Sequence, residues 1–184
     1  LTGLTKDIIR AMLNQKRNKM KALFISRDDL VRYTPISGNL DFDRVVQYIE
    51  IAQDIHVHEL LGSRLYNKLQ ADVLGNTLTG DYESLVTRFI KPLLAQYSLL
   101  EFLPFSQFSI NNKGVFKHTS ENSETLTKSD ISMMTEATRD TAQHYATRLV
   151  DYLCNYPTLF PEYLTNNRDE MSPNRITNFG GWNI

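Results

Sequence analysis

Residues 41–61 read DFDRVVQYIEIAQDIHVHELL. Phe42, Val45, Val46, Ile49, Ala52, Ile55 and Leu60 recur at offsets of 3, 4, 7, 10, 13 and 18 from the first. The spacing fits a 3.6-residue period and does not alternate, which predicts one helix of 21 residues, capped by Asp41 and about 31 Å long. Upstream, Ser26-Arg27-Asp28-Asp29 fits a capping box, in which the hydroxyl accepts from an orphan amide and the acid faces the positive helix end. A short helix through Tyr33 follows, and Thr34-Pro35 with Ser37-Gly38-Asn39 punctuates the loop after it.

Downstream, Gly62 reads as the residue that ends the long helix. Ser63 reads as the cap of another, with Leu65, Leu69 and Val73, closing at Gly75-Asn76. Gly80-Asp81 opens a helix whose apolar residues, from Leu85 to Leu103, occupy more than one face, the mark of a core centre or an intersubunit position. Pro92 is expected to kink it and Pro104 to stop it.

Beyond Pro104, β-forming residues flank the turn cluster Asn111-Asn112-Lys113-Gly114, predicting a β-hairpin at about 105–119 laid on the body or on strands of another chain. Thr127-Lys128-Ser129-Asp130 is a second capping box. It opens a helix bearing Ile131, Met134, Ala137, Thr138, Tyr145, Leu149 and Leu153, about 40 Å long and ending before Pro157. Residues 165–184 are rich in Asn and poor in aliphatics yet hold Phe179 and Trp182, so they either stay disordered or lie as an extended arm. The expected fold class is therefore mainly α: a helical bundle of long helices with one β-hairpin insertion and an extended C-terminal arm. Its parts are a basic helix or arm at 1–21, a helical domain at 22–164 and the arm at 165–184.

The 184 residues are 41% hydrophobic and 22% charged, a single-domain soluble profile. Twenty Lys and Arg face 21 Asp and Glu, so no global field gathers nucleic acid or anionic membrane. No run approaches the length of a membrane span. The single cysteine, Cys154, cannot form an internal disulfide, which suits a reducing compartment, and reads as a small buried hydrophobe. The charge is nevertheless uneven, with residues 1–21 at net +5 and the remainder at net −6. Thr5 to Lys19 reads as an amphipathic helix with Leu4, Ile8, Ala11 and Met12 on one face. It either docks that stripe on the body or a neighbour, or contacts phosphate through Lys16, Arg17 and Lys19.

Little in the chain suggests chemistry. His56 and His58 sit about 200° apart on one helix and cannot chelate one ion together, and His118 and His144 have no CxxC, HExxH or EF-hand companion. No metal or cofactor is expected. Asp54, Glu59, Asp140 and Asp151 read as solvated faces or intersubunit ion pairs, and the common glycine-rich phosphate, dinucleotide and nucleophile-elbow motifs do not occur, so the reading is non-enzymatic. Phe105, Phe108, Val115, Phe116, Phe179 and Trp182 lie outside the regular helices and are the candidates for subunit interfaces, with folding back on the same chain as the alternative.

The stretch LFISRDDLVRYTPISGNLD from Leu23 is followed by Gln53-Asp54-Ile55-His56, Leu61-Gly62-Ser63-Arg64-Leu65-Tyr66, Leu78-Thr79-Gly80-Asp81-Tyr82 and Leu159-Phe160-Pro161-Glu162-Tyr163. Together these resemble a family of small virion proteins of tailed phages of Bacteroidetes, the crAss-like group among them, over roughly residues 20 to 184. The resemblance implies a head-to-tail connector, or adaptor, protein. Such a protein forms a homo-oligomeric ring, usually of twelve copies, beneath the portal and joins capsid to tail. Its partners would be the portal and adjoining neck or tail proteins, with DNA passing through the channel without sequence-specific binding and no membrane contact. Its place would be the neck of the virion, after assembly in the host cytoplasm. The alternative is a DNA-binding or packaging-associated module acting through the basic N-terminal segment.

Overall fold

The computed structural model describes residues 21–38, 40–106, 108–111, 114–117, 127–165 and 170–175, with backbone alone for 108–111 and 114–117. Among these the chain is mainly helical. Helix α1 (Arg27–Tyr33) starts at the Ser26–Asp29 capping box, in which hydroxyl and carboxylate each satisfy the other's backbone amide. Asp41 caps only a 3-10 turn, Phe42–Arg44, after which α2 (Val46–Ala52) passes through a π-turn (Gln53–Val57) into α3 (His58–Gly75). Asn76, at φ 52°, supplies the left-handed residue that closes α3.

Two corrections apply to this stretch. Ile55 does not share the buried stripe: it is 51% exposed, while Ile49, Ala52, Gln53 and Val57 are fully buried. Thirteen residues from Phe42 make about 3.6 turns, which leaves Ile55 on the far side of the helix. Gly62 does break the helix, with φ 71° and ψ 156°, but Ser63 is not an N-cap, because helical structure resumes at once and the Ser63 hydroxyl faces another segment.

Helix α4 (Gly80–Leu85), a second π-turn (Val86–Ile90) and α5 (Lys91–Phe102) follow as one run. Lys91 N–H closes the π-turn by donating to the Val86 carbonyl, so the missing amide of Pro92 falls where the ladder is already widened. The 3-10 turn Leu103–Phe105 takes the chain past Pro104. Helix α6 (Lys128–Asn155) begins at the Thr127–Asp130 capping box and runs about 42 Å for its 28 residues. The short helix α7 (Pro161–Leu164) follows and packs against α3.

Helix α5 is the centre, packing against α6, α2 and α1, with Leu93, Leu94 and Ala95 fully buried. On α6 the small residues Ala142 and Ala146 and the larger Leu149 and Leu153 are all fully buried, so that helix approaches closely at one point and interdigitates one turn further on.

The expected fold class needs correction. Among the described residues the hairpin insertion expected at about 105–119 adds no strand layer to the helical body. The strands β1 (Phe108–Asn111) and β2 (Gly114–Lys117) pair only with each other, Phe108 opposite Lys117 and Ile110 opposite Val115, so no sheet layer enters the fold. Two four-residue strands have too little face to build a core on their own. The buried cluster is assembled from the helices, their turns, and the segments holding Phe24, Ile25 and Phe160. No helix among the described residues is long and apolar enough to cross a membrane.

Candidate functional site: the crossing of the two chain ends

Among the described residues three of the five buried polar side chains, Gln53, Ser63 and Gln70, lie on one stretch, where segments from both ends of the described chain cross. From the N-terminal side, residues 22–24 lie along it, held by side-chain amides rather than by another strand. Ala22 N–H donates to Gln70 Oε1 at 2.7 Å, and Gln70 Nε2 donates to the Ala22 carbonyl at 2.8 Å. Gln53 Nε2 donates to the same carbonyl at 2.8 Å, and Gln53 Oε1 accepts Phe24 N–H at 2.9 Å. Ala22 and Phe24 are buried, so each of these backbone groups would cost about 1–3 kcal/mol if left unpaired.

Tyr66 sits at the middle. Phe24 meets its ring edge-on at 5.6 Å and His58 stacks on it at 4.3 Å. Its hydroxyl accepts from Gln53 Nε2 and donates to Asp54 Oδ1 at 3.3 Å. Burial pushes the phenol up from its ordinary value, against the donor from Gln53. Asp54 also pairs with the Lys21 ammonium.

From the C-terminal side, residues 170–175 fill the break at Gly62. Ser63 N–H donates to the Met171 carbonyl at 2.8 Å, and Met171 N–H donates back to Ser63 Oγ at 3.0 Å. Asn174 N–H donates to the Glu59 carbonyl at 2.8 Å, and its side-chain amide donates to Glu59 Oε1 at 2.7 Å. His58 Nε2 lies 2.8 Å from Ser63 Oγ. With that oxygen accepting from Met171, the hydroxyl proton is free to point at an unprotonated Nε2. Burial lowers the His58 pKa, opposed by Glu170 and reinforced by Lys21, so residues from the two ends of the described chain act on one imidazole.

His56 belongs to a separate arrangement, 2.9 Å from Glu101 and stacked on Tyr97 at 3.9 Å. The two histidines turn to different partners. No cluster of three or more His, Cys, Asp or Glu side chains that could hold a metal ion occurs among the described residues.

Of the residues singled out from sequence for interfaces or phosphate, none that the structure describes lies at this crossing. Phe105 is 52% exposed and stacks on Tyr48 at 5.9 Å. Phe108, Val115 and Phe116 lie on the β1–β2 ladder, with Val115 opposite Ile110 and Phe116 opposite Ser109. Phe179 and Trp182, and the phosphate candidates Lys16, Arg17 and Lys19, lie outside the described residues. Cys154 is exposed, while its neighbour Leu153 takes the buried position, so the reading of a buried cysteine is corrected. The sequence reading gives Gln53 and Gln70 no role and reads Ser63 only as a helix cap. A signal for the first was available: Gln53 stands four residues after Ile49, where the helical stripe calls for an apolar side chain.

At the crossing the Gln53 and Gln70 amides and the Ser63 hydroxyl bond the backbone of the two chain ends, while the Tyr66 hydroxyl and the His58 imidazole bond Gln53, Asp54 and Ser63 side chains, so the evident work of the group is to position chain ends. A family model described as a family of unknown function (DUF6712) matches residues 57–170, a span that takes in the Gly62 break and reaches the start of the C-terminal segment lying over it. No curated protein and no solved structure matches the chain.

Proposed function

We propose, for a chain that belongs to the DUF6712 family, that it is a non-enzymatic structural virion protein. In this reading it forms a homo-oligomeric ring of about twelve copies in a phage head-to-tail connector below the portal, extending the DNA channel and joining capsid to tail. The resemblance of its sequence to connector proteins suggests the role. The structural observation that carries it is α6: none of the first ten residues of this 28-residue helix is fully buried, the first buried residue being Thr138. Met133 is 65% exposed there, and Ile131 and Met134 are half-buried. A helix that extends beyond its own core with apolar residues on it suits a contact between neighbouring copies.

In a ring the contact is heterologous, one face of each copy against a different face of the next, and it closes when the rotation per copy divides a full turn. Phe105 offers a second exposed apolar side chain, on the turn after α5. The net charge of −6 outside residues 1–21 suits a channel lining that does not hold DNA, because like charge repels phosphate.

Light scattering and negative-stain electron microscopy of the purified full chain test this reading. Closed rings indifferent to DNA support it. A monomer at every concentration, binding DNA with an affinity that falls steeply with salt, supports the second reading, a DNA-binding module acting through the net +5 of residues 1–21.

A further inference from the structure

The outer face of α2 and its π-turn presents Ile51, 40% exposed, and Ile55, 51% exposed, one turn apart, with the carboxylates of Glu50 and Asp54 beside them. Two aliphatic side chains open to this degree, on a helix whose other face is wholly buried, form an apolar strip with an acidic border. The described chain enters at this strip. The ammonium of Lys21 pairs with Asp54, and Glu50 also acts on it, so the first described residue is fixed between the two acids that border Ile51.

The twenty residues before Lys21 carry the complementary pattern. Wound as a helix, this sequence would set Leu4, Ile8, Ala11 and Met12 on one face with Lys6, Arg10, Lys16, Arg17 and Lys19 around it. The stripe from Leu4 to Met12 measures about 12 Å at 1.5 Å per residue, against about 6 Å from Ile51 to Ile55 and about 10 Å if the half-buried Tyr48 is included. Lys21 lies nine positions beyond Met12, a reach of about 13 Å as helix and about 30 Å extended, so the tether spans the strip in either form.

We propose that the Ile51–Ile55 strip is a docking surface for a basic amphipathic helix, and that its occupant is this chain's own residues 1–20, apolar stripe inward and lysines toward Glu50 and Asp54. The strip supplies apolar area, the acids supply the sign of charge, and Lys21 delivers the segment to the place. The inference stands apart from the ring reading, since it concerns contacts within one chain.

The test is hydrogen exchange by mass spectrometry on the full chain, alone and as the Ile51→Ser/Ile55→Ser double variant, joined to zero-length carbodiimide cross-linking of a mixture of isotope-labelled and unlabelled protein. The expected result is protection of amides 4–19, lost by about tenfold or more in the double variant, with cross-links from Lys16 or Lys19 to Glu50 or Asp54 within single chains. Both replaced residues are exposed, so the variant keeps its core. Ile8→Asp, made on the other side of the contact, is expected to release the segment equally. Exchange of residues 4–19 at the rate of a free peptide, unchanged by any of the variants, overturns the proposal. Cross-links found only between labelled and unlabelled chains also overturn it, and assign the strip to a second copy.

Discussion

Glu59 and Ser63 stand one helical turn apart, yet the hydrogen bond that this spacing would give is replaced by two others. Gly62, at φ 71° and ψ 156°, parts them; the Glu59 carbonyl accepts from Asn174 N–H and the Ser63 N–H donates to Met171, each at 2.8 Å. The helix break thus opens one donor and one acceptor, and the C-terminal segment satisfies both.

Gly62→Ala is expected to destabilise the protein by about 1–3 kcal/mol, because a side chain at this φ and ψ is strained. Relief comes from healing the helix, which restores the Glu59–Ser63 bond and expels residues 171–174. Hydrogen exchange resolves the effect: the Met171 and Asn174 amides lose protection while those of α5 keep theirs.

Gln53→Leu and Gln70→Leu each leave buried backbone groups of Ala22 or Phe24 without a partner. Each is expected to cost about 1–3 kcal/mol by urea unfolding. The two costs are expected not to add, since both amides donate to the same Ala22 carbonyl.

The His58 imidazole has a folded pKa below its ordinary 6.5, with burial as the leading cause. Between the folded value and 6.5 the unfolded chain binds more protons, so this contribution to stability is full above pH 6.5 and is lost as the pH falls through the folded value. Melting temperature is expected to drop as buffer moves from pH 7.5 to pH values below 6.5. His58→Gln is expected to flatten that slope, and an unchanged slope would refute the assignment.

Lys91 Nζ lies 2.8 Å from Asp29 Oδ2 and ties α5 to the start of α1. Burial works to raise the Asp29 carboxyl, and the Lys91 ammonium with the Ser26 donors outweighs it, leaving the pKa below 3.8. The carboxylate's contribution is therefore present above pH 3.8 and lost as the pH falls through the folded value. Lys91→Met is expected to cost about 1 kcal/mol at neutral pH, screened in part because both side chains keep some exposure, and to shrink the acid-induced loss in a stability-versus-pH series.

Met133→Ser tests the ring reading at a single side chain. Its stability is expected to stay within about 0.5 kcal/mol of the parent, since an exposed side chain leaves no cavity. Its mass by light scattering is expected to fall toward that of the single chain.

Local signals were the most legible in the sequence. Both capping boxes start helices where Ser26 and Thr127 place them, and Asn76 closes α3, because each depends on a few neighbouring residues. The long-range polar crossing was not legible: nothing near Gln53 indicates that its amide will hold the backbone of Ala22 31 residues away, and nothing near Ser63 indicates Met171. The second π-turn falls just before Pro92, whose missing amide it accommodates, whereas no local signal in the sequence marks the first. Cys154 and Ile55 were assigned to buried faces by an apolar character that the helical phase does not support.

The crossing also fixes how the molecule would bear a pull. Tension applied between the two ends of the described chain enters through residues 22–24 and 170–175, and both segments grip the stretch from Gln53 to Gln70. Force would therefore travel a short path, shearing a handful of hydrogen bonds across one kinked helix, while the contact between α5 and α6 lies off that path and is spared.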